Sequence, residues 1–361
     1  MKVLDLPHQK AGAEFLAAKE VAGLFDPPGS GKQQPLYSRI LTPTGWTTMG
    51  EIQVGDKVIT GDGTVTYVTG VFPQGVQDVY RVHFRGGGYT DCGLDHLWRV
   101  RNKAFKGDKW RTLSLKEIVD SGVLTGKESD PKYQVPVMGA ADLGGLKPDE
   151  LPVHPYVLGL LLGDGCTCTS SLALSNPDID KDISDRFRAL LEPLGFTVRE
   201  DRTSSCPRYC VSDRTQKGNR LLDALRSLGV AVKSGDKFIP EVYKFASSEA
   251  RLELLRGLMD TDGSACKNRI TFHTTSARLA DDVRELSLSL GIVAIRRSYN
   301  RDHENKSQEE EVNIRAAKLC PFHSERKKKQ WWPRHNDCVP CRYIIKVEKL
   351  DTHLSSNSVS R

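Results

Sequence analysis

Two segments near the middle of the chain are apolar almost throughout and end in the same way. Residues 157–165 read Val-Leu-Gly-Leu-Leu-Leu-Gly-Asp-Gly, and residues 255–263 read Leu-Arg-Gly-Leu-Met-Asp-Thr-Asp-Gly. Each predicts a helix that stops at an acid followed by a glycine C-cap. What comes next is also alike. The first segment is followed by a strand-like Leu172-Ala173-Leu174, a helix over 182–191 and an extended run over 194–198. The second is followed by Ile270-Thr271-Phe272, a helix over 279–290 and an extended run over 290–293. From acid to glycine the interval is 31 residues between Asp164 and Gly195, and 29 between Asp262 and Gly291. Near-equal spacing of like elements predicts two copies of one α/β unit. Small residues within both helices would let them approach closely, so that the carboxylates of Asp164 and Asp262 meet at one point.

The flanking regions follow a different pattern. Short apolar runs divided by Gly, Pro and Asp turns continue from about residue 41 to 84, which predicts a compact β-rich unit. Residues 343–349 form another strand-like run. Near the start, residues 8–18 have the periodicity of an amphipathic helix, and an apolar run over 21–25 follows.

Composition narrows the class without choosing a function. With 361 residues, 38% hydrophobic and 27% charged, the chain has room for two or three globular domains. It has no stretch of about 18 apolar residues and no secretory leader, so a cytoplasmic location is expected. Nine cysteines without a leader predict reduced thiols or metal ligands rather than disulfides. A net charge of +6 is compatible with nucleic acid but decides nothing by itself.

Asp26-Pro27-Pro28-Gly29-Ser30-Gly31-Lys32 resembles a phosphate-binding loop, in which glycine N–H groups and a lysine surround phosphates. The Ser or Thr that should hold Mg²⁺ after the lysine is replaced by Gln33. With His8-Gln9 upstream, residues 1–32 resemble the start of a Swi/Snf-type DNA helicase. No second ATPase motif follows, so no ATP use is expected. After Lys32 the turn Thr42-Pro43-Thr44-Gly45-Trp46, the step Met49-Gly50-Glu51-Ile52, the strand Val54-Gly55-Asp56-Lys57-Val58-Ile59 and Asp95-His96-Leu97-Trp98 stand in an order that resembles the N-terminal splicing region of inteins. Gln33 carries no nucleophile, and Trp98 stands two residues after His96, as in the intein class that lacks an N-terminal nucleophile. The resemblance implies a splice junction at Lys32-Gln33, with His96 protonating the scissile amide. Residues 350–361 contain no Cys and no His-Asn pair, so the expected return strand is truncated or altered. Splicing by this chain alone is then incomplete, and a separate C-terminal chain could supply the missing block.

The paired segments resemble the LAGLIDADG motif of homing endonucleases. The resemblance implies a pseudo-twofold saddle whose sheets enter the major groove of double-stranded DNA. It implies that Asp164 and Asp262 hold Mg²⁺ (or Mn²⁺) for hydrolysis of one phosphodiester per strand. Lys237, in Lys237-Phe238-Ile239-Pro240, resembles the lysine that assists such sites, and Asp260 is expected to be structural. Two motifs in one chain make a monomer sufficient, and the DNA target is expected to be the uninterrupted ATPase gene.

Cys320, His323, Cys338 and Cys341 have spacing that would suit zinc. Between them lies a basic and aromatic run from Arg326 through Arg334. From it Lys327, Lys328 and Lys329 are expected to contact DNA, as are Arg296 and Arg297. The fold class expected is α+β and multidomain: a helicase fragment (1–32), a splicing region (33–135), a LAGLIDADG endonuclease (150–315), a basic linker (316–342) and a return strand (343–361). A self-processing protein with an inactive nuclease, and a non-catalytic DNA-binding helicase fragment, remain as alternatives.

Overall fold

The computed structural model describes residues 34–102, 110–126, 130–167, 171–266, 269–299, 309–315, 319–331 and 340–360, with side chains of the last segment to residue 350. The helix expected over 8–18, the loop residues Gly29, Gly31 and Lys32, Gln33 and Cys338 lie outside the described residues. The chain divides into two compact units, Met1–Pro136 with Arg342–Arg361, and Val137–Cys341.

The first unit is built from strands because its apolar residues come in short runs broken by turns. Its main sheet has the order Gln34–Pro35, Cys341–Ser360, Gly70–Phe84, Tyr89–Cys92, and Gln134–Pro136 also pairs with Cys341–Ser360. Hairpins join Arg39–Thr42 to Gly45–Thr48, Lys57–Ile59 to Val65–Tyr67, and Leu97–Val100 to Arg111–Ser114. The short helix Leu115–Asp120 starts at a capping box, in which Ser114 and Glu117 satisfy each other's backbone N–H. Val82, Phe84, Cys92, Val100, Leu115, Ile118 and Ile344 form one core; Ile40, Met49, Ile52, Val58 and Val68 form a smaller one. The return strand, Cys341–Ser360, continues well beyond the strand-like run over 343–349. It runs antiparallel to Gly70–Phe84 as far as Ser360 and passes Gln34 in register with Asn357. Backbone pairing on both sides sustains it where no sequence block marks it.

The second unit consists of two repeats of one topology. The first contains α1 (Pro155–Asp164), β1 (Gly165–Cys166), β2 (Leu172–Ser175), α2 (Lys181–Leu191), β3 (Phe196–Asp201), β4 (Arg208–Asp213) and α3 (Arg220–Ser227). The second contains α4 (Ser248–Asp262), β5 (Gly263–Cys266), β6 (Arg269–Thr274), α5 (Ala277–Ser289), β7 (Val293–Tyr299) and β8 (Glu309–Arg315), and α6 (Glu325–Gln330) follows. The sheets have the orders β1-β2-β4-β3 and β5-β6-β8-β7, antiparallel throughout. Pro155 at the first turn and the Ser247 hydroxyl, which accepts from Ala250 N at 3.2 Å, start the two long helices. A single apolar core runs from Leu151 to Phe322 and holds both repeats.

Gly165 and Gly263 are the C-caps expected of the two helices, and both are extended (φ −81° and −89°). Glycine is required because the chain turns directly from helix into strand: a Cβ at Gly165 would lie 2.4 Å from Leu161 O, and one at Gly263 would lie 2.3 Å from Met259 O. The linker expected over 316–342 is corrected. Phe322, Ser324 and Lys327 are buried in the second unit, so residues 319–331 belong to its core.

Candidate active site

Helices α1 and α4 cross with their backbones in contact. A Cβ on Gly159 would lie 2.5 Å from Leu254 O, and one on Gly257 would lie 2.3 Å from Tyr156 O. No side chain fits between these turns, so the glycines set the separation of the helices. Near the same end, a Cβ on Gly163 would strike the Thr261 hydroxyl and come 3.2 Å from Asp262 Oδ2. The crossing therefore delivers Asp164 and Asp262 to one place.

Neither carboxylate accepts a hydrogen bond or forms an ion pair with a described residue. Burial pushes Asp262 up to about 7, and the neighbouring Asp164 charge adds to the shift, while Lys237 and Lys327 oppose it. Asp164 is pushed up by burial as well, although it retains access to solvent at the rim of a cleft. Two unpaired acids that repel one another form a site short of positive charge. Oxygen ligands of this kind suit Mg²⁺ or Mn²⁺. No cluster of three His, Cys, Asp or Glu occurs among the described residues, so the rest of an ion's coordination falls to water, backbone oxygens or a substrate phosphate.

Two lysines close the helix ends. Lys237 Nζ donates to the carbonyls of Leu161, Gly163 and Gly165 at 3.2, 2.8 and 3.2 Å. Lys327 Nζ donates to those of Met259, Asp260 and Thr261 at 3.0, 2.6 and 3.1 Å. Each ammonium meets the negative end of one helix dipole and donates to carbonyls of its last turn, of which Met259 O also accepts from Gly263 N. Each lysine-bearing segment is also braced on the opposite repeat. Ile239 N donates to Asp282 at 2.8 Å, and Ser276 Oγ to Lys237 O at 2.6 Å. Arg326 pairs with Asp180 through two bonds of 2.8 and 2.7 Å, and Glu325 N donates to Asp182 at 2.6 Å.

Lys237 holds the end of α1 next to Asp164, and the five residues expected to contact DNA fall into different settings. Lys327 is 4% exposed and spent on the helix end rather than on a surface. Arg296 lies on the helix-packed face of β7 and pairs with Glu310 at 2.9 Å and with Asp281. Strand alternation puts Arg297, its exposed neighbour, on the opposite face. Lys328 pairs with Glu325 at 2.9 Å, and Lys329 is exposed. The zinc set is not assembled among the described residues: His323 Nε2 is engaged by Glu253 at 2.8 Å, and Cys320 Sγ faces Phe322 O at 3.6 Å. Asp260 is 2% exposed and accepts from Tyr156 Oη at 2.7 Å and from Ser324 N at 3.0 Å, a packing role.

In the first unit His96 is 5% exposed, its ring centroid 5.3 Å from that of Trp98. The Trp98 indole N–H is buried with no hydrogen-bond partner among the described residues.

Residues 249–326 match the sequence family described as the LAGLIDADG-like domain. The chain is 29% identical over 280 residues to the replicative DNA helicase DnaB of Mycobacterium intracellulare, covering 73% of this chain and 43% of that protein. It is 26% identical over 242 residues to the DnaB of Rhodothermus marinus, covering 63% and 24%. The chain therefore spans less than half the length of these curated relatives. Among solved structures, the gp41-1 intein shares 25% identity over 24% of this chain and 61% of that one, with a TM-score of 0.20. The complex of I-DmoI with DNA and Mn shares 15% over 44% and 87%, with a TM-score of 0.33. No helix among the described residues is long and apolar enough to cross a membrane.

Proposed function

For a chain that carries a LAGLIDADG-like domain within an intein, we propose that the second unit cuts both strands of duplex DNA by hydrolysis, with Asp164 and Asp262 holding a divalent cation. The observation that carries this reading is the meeting of two helix ends that present two carboxylates with no hydrogen-bond partner among the described residues. A cation bound there supplies the Lewis acidity that activates water and stabilises a leaving oxygen. The residues do the rest. Asp164 and Asp262 collect positive charge at the point where two strands can be reached. Lys237 and Lys327 hold the helix ends rigid and add positive potential toward a phosphate. In each strand a P–O bond is broken, water oxygen joins phosphorus, and the proton count is balanced by solvent.

The target is the ATPase gene uninterrupted by this element, and residues 1–32 with the first unit are its extein fragment and splicing domain. A supercoiled plasmid carrying the uninterrupted gene, incubated with the protein in Mg²⁺, is expected to become linear at one site and to stay intact in chelator. An intact plasmid in Mg²⁺, with folded protein, overturns the nuclease reading.

The buried His96 and the unpartnered indole N–H of Trp98 favour a second activity in the first unit, acyl transfer at Lys32-Gln33. His96→Ala is expected to abolish chain cleavage at that bond, followed by intact mass. Cleavage at the wild-type rate would remove His96 from the chemistry.

A further inference from the structure

Arg326 and Asp164 line the same cleft, about 230 Å³ in volume, together with Asn176, Asp180, Thr261 and Gln330. Asp180 is 4% exposed and takes the Nε and one Nη of Arg326 at 2.8 and 2.7 Å; the Ser324 hydroxyl also reaches it at 3.3 Å. This fork-to-fork pairing fixes the plane of the guanidinium. The second Nη has no hydrogen-bond partner among the described residues, so a rigid donor pair remains at a cleft that already holds a candidate catalytic acid. The equivalent position in the opposite half differs. Lys237 and Lys327 do the same work on their two helices, and the residue before each is Asp236 in one case and Arg326 in the other. Asp236 is an exposed carboxylate, which repels a phosphate where Arg326 would bind one.

Resting on the nuclease reading above, we infer that Arg326, positioned by Asp180, binds a DNA backbone phosphate beside Asp164, and that the two strands are consequently cut at unequal rates. Planar guanidinium donors match phosphate oxygens two at a time, and a lysine cannot replace that geometry. Asp180 touches no reacting atom and acts only through Arg326.

The test follows each strand separately, with the uninterrupted target labelled on one strand or the other and with supercoiled plasmid in parallel. Arg326→Gln is expected to slow the faster strand, the one cut beside Asp164, about tenfold while leaving the other nearly unchanged, so that the inequality of the wild type shrinks or reverses. Arg326→Lys should recover part of the loss, and Asp180→Asn should slow the same strand by a smaller factor. A merely structural role would slow both strands together and lower the melting temperature in step. Equal slowing of both strands by Arg326→Gln, or no slowing, overturns the inference. If Asp180→Asn fails to fold, the two Arg326 variants decide. A wild-type protein that cuts neither strand overturns the nuclease reading and this inference with it, whereas a wild type that cuts normally and Arg326 variants that slow both strands alike, or neither, overturn this inference alone.

Discussion

At the end of α1 the chain reads Leu162-Gly163-Asp164-Gly165, and at the end of α4 it reads Asp260-Thr261-Asp262-Gly263. Only the second acid and the final glycine coincide, yet both helices turn into a strand in the same way. The difference shows which positions the shared geometry constrains. Gly165 and Gly263 repeat because a Cβ would collide with the last helical turn in either half. Asp164 and Asp262 repeat without any packing reason, since neither has a hydrogen-bond or ion-pair partner among the described residues. Gly163 and Thr261 are free to differ because they fill one space between them. Leu162 and Asp260 differ because only Asp260 receives the segment at His323 and Ser324. A residue kept in both halves and satisfied in neither is the signature of a ligand site rather than of packing.

The comparison breaks most completely at the crossing. Gly159→Ala or Gly257→Ala should cost at least about 3 kcal/mol, because the nearest atoms are backbone and cannot swing aside. Urea unfolding measures this, and a loss below about 1 kcal/mol would mean that the helices can part without damage.

The lysines sharpen it next. Lys237→Met and Lys327→Met should each cost about 2–3 kcal/mol by removing the ammonium that three carbonyls at each helix end share. Similar losses support equivalent roles; a Lys327→Met variant as stable as wild type would return that residue to the surface. Asp260→Leu, which copies the first motif into the second, should cost about 2 kcal/mol in thermal unfolding by stranding the Tyr156 hydroxyl and the Ser324 N–H. No change there would make the second motif's extra acid dispensable.

The smallest effect depends on pH. Asp262, pushed up to about 7, binds its proton more tightly in the folded chain than in the unfolded one. Folding then takes up a proton, so this contribution to stability is greatest below the ordinary carboxylate range and is lost as pH rises through 7. Asp262→Asn should therefore stabilise the metal-free protein by about 1 kcal/mol at pH 8 and by little at pH 5. Equal effects at both values would mean that Asp262 titrates normally.

How far the sequence reveals this depends on whether the signal is periodic or tertiary. The two helices, the following strands and the two acids are legible because the apolar runs and intervals repeat. Lys237 stands out in Lys-Phe-Ile-Pro, beside a proline and an apolar residue. Lys327 does not, because it stands in a row of three lysines that reads as surface charge. The clue available was Phe322 before the run and Ser324 capping a helix at Lys327, a pattern that buries the third position. Arg296 and Arg297 are adjacent and chemically identical, so only the strand's facing tells them apart. The glycine caps after the acids are legible in the sequence, but their extended backbone follows from the strand that begins at once after each helix.

The central claim is that two unpartnered carboxylates at one crossing make a single metal-dependent nuclease. Its most direct test is cleavage of the uninterrupted target in Mg²⁺ by wild type, Asp164→Asn and Asp262→Asn, each checked for folding by circular dichroism. The account predicts linear plasmid from the wild type and a loss of at least about a hundredfold in both variants. Wild-type cleavage by either variant would contradict it.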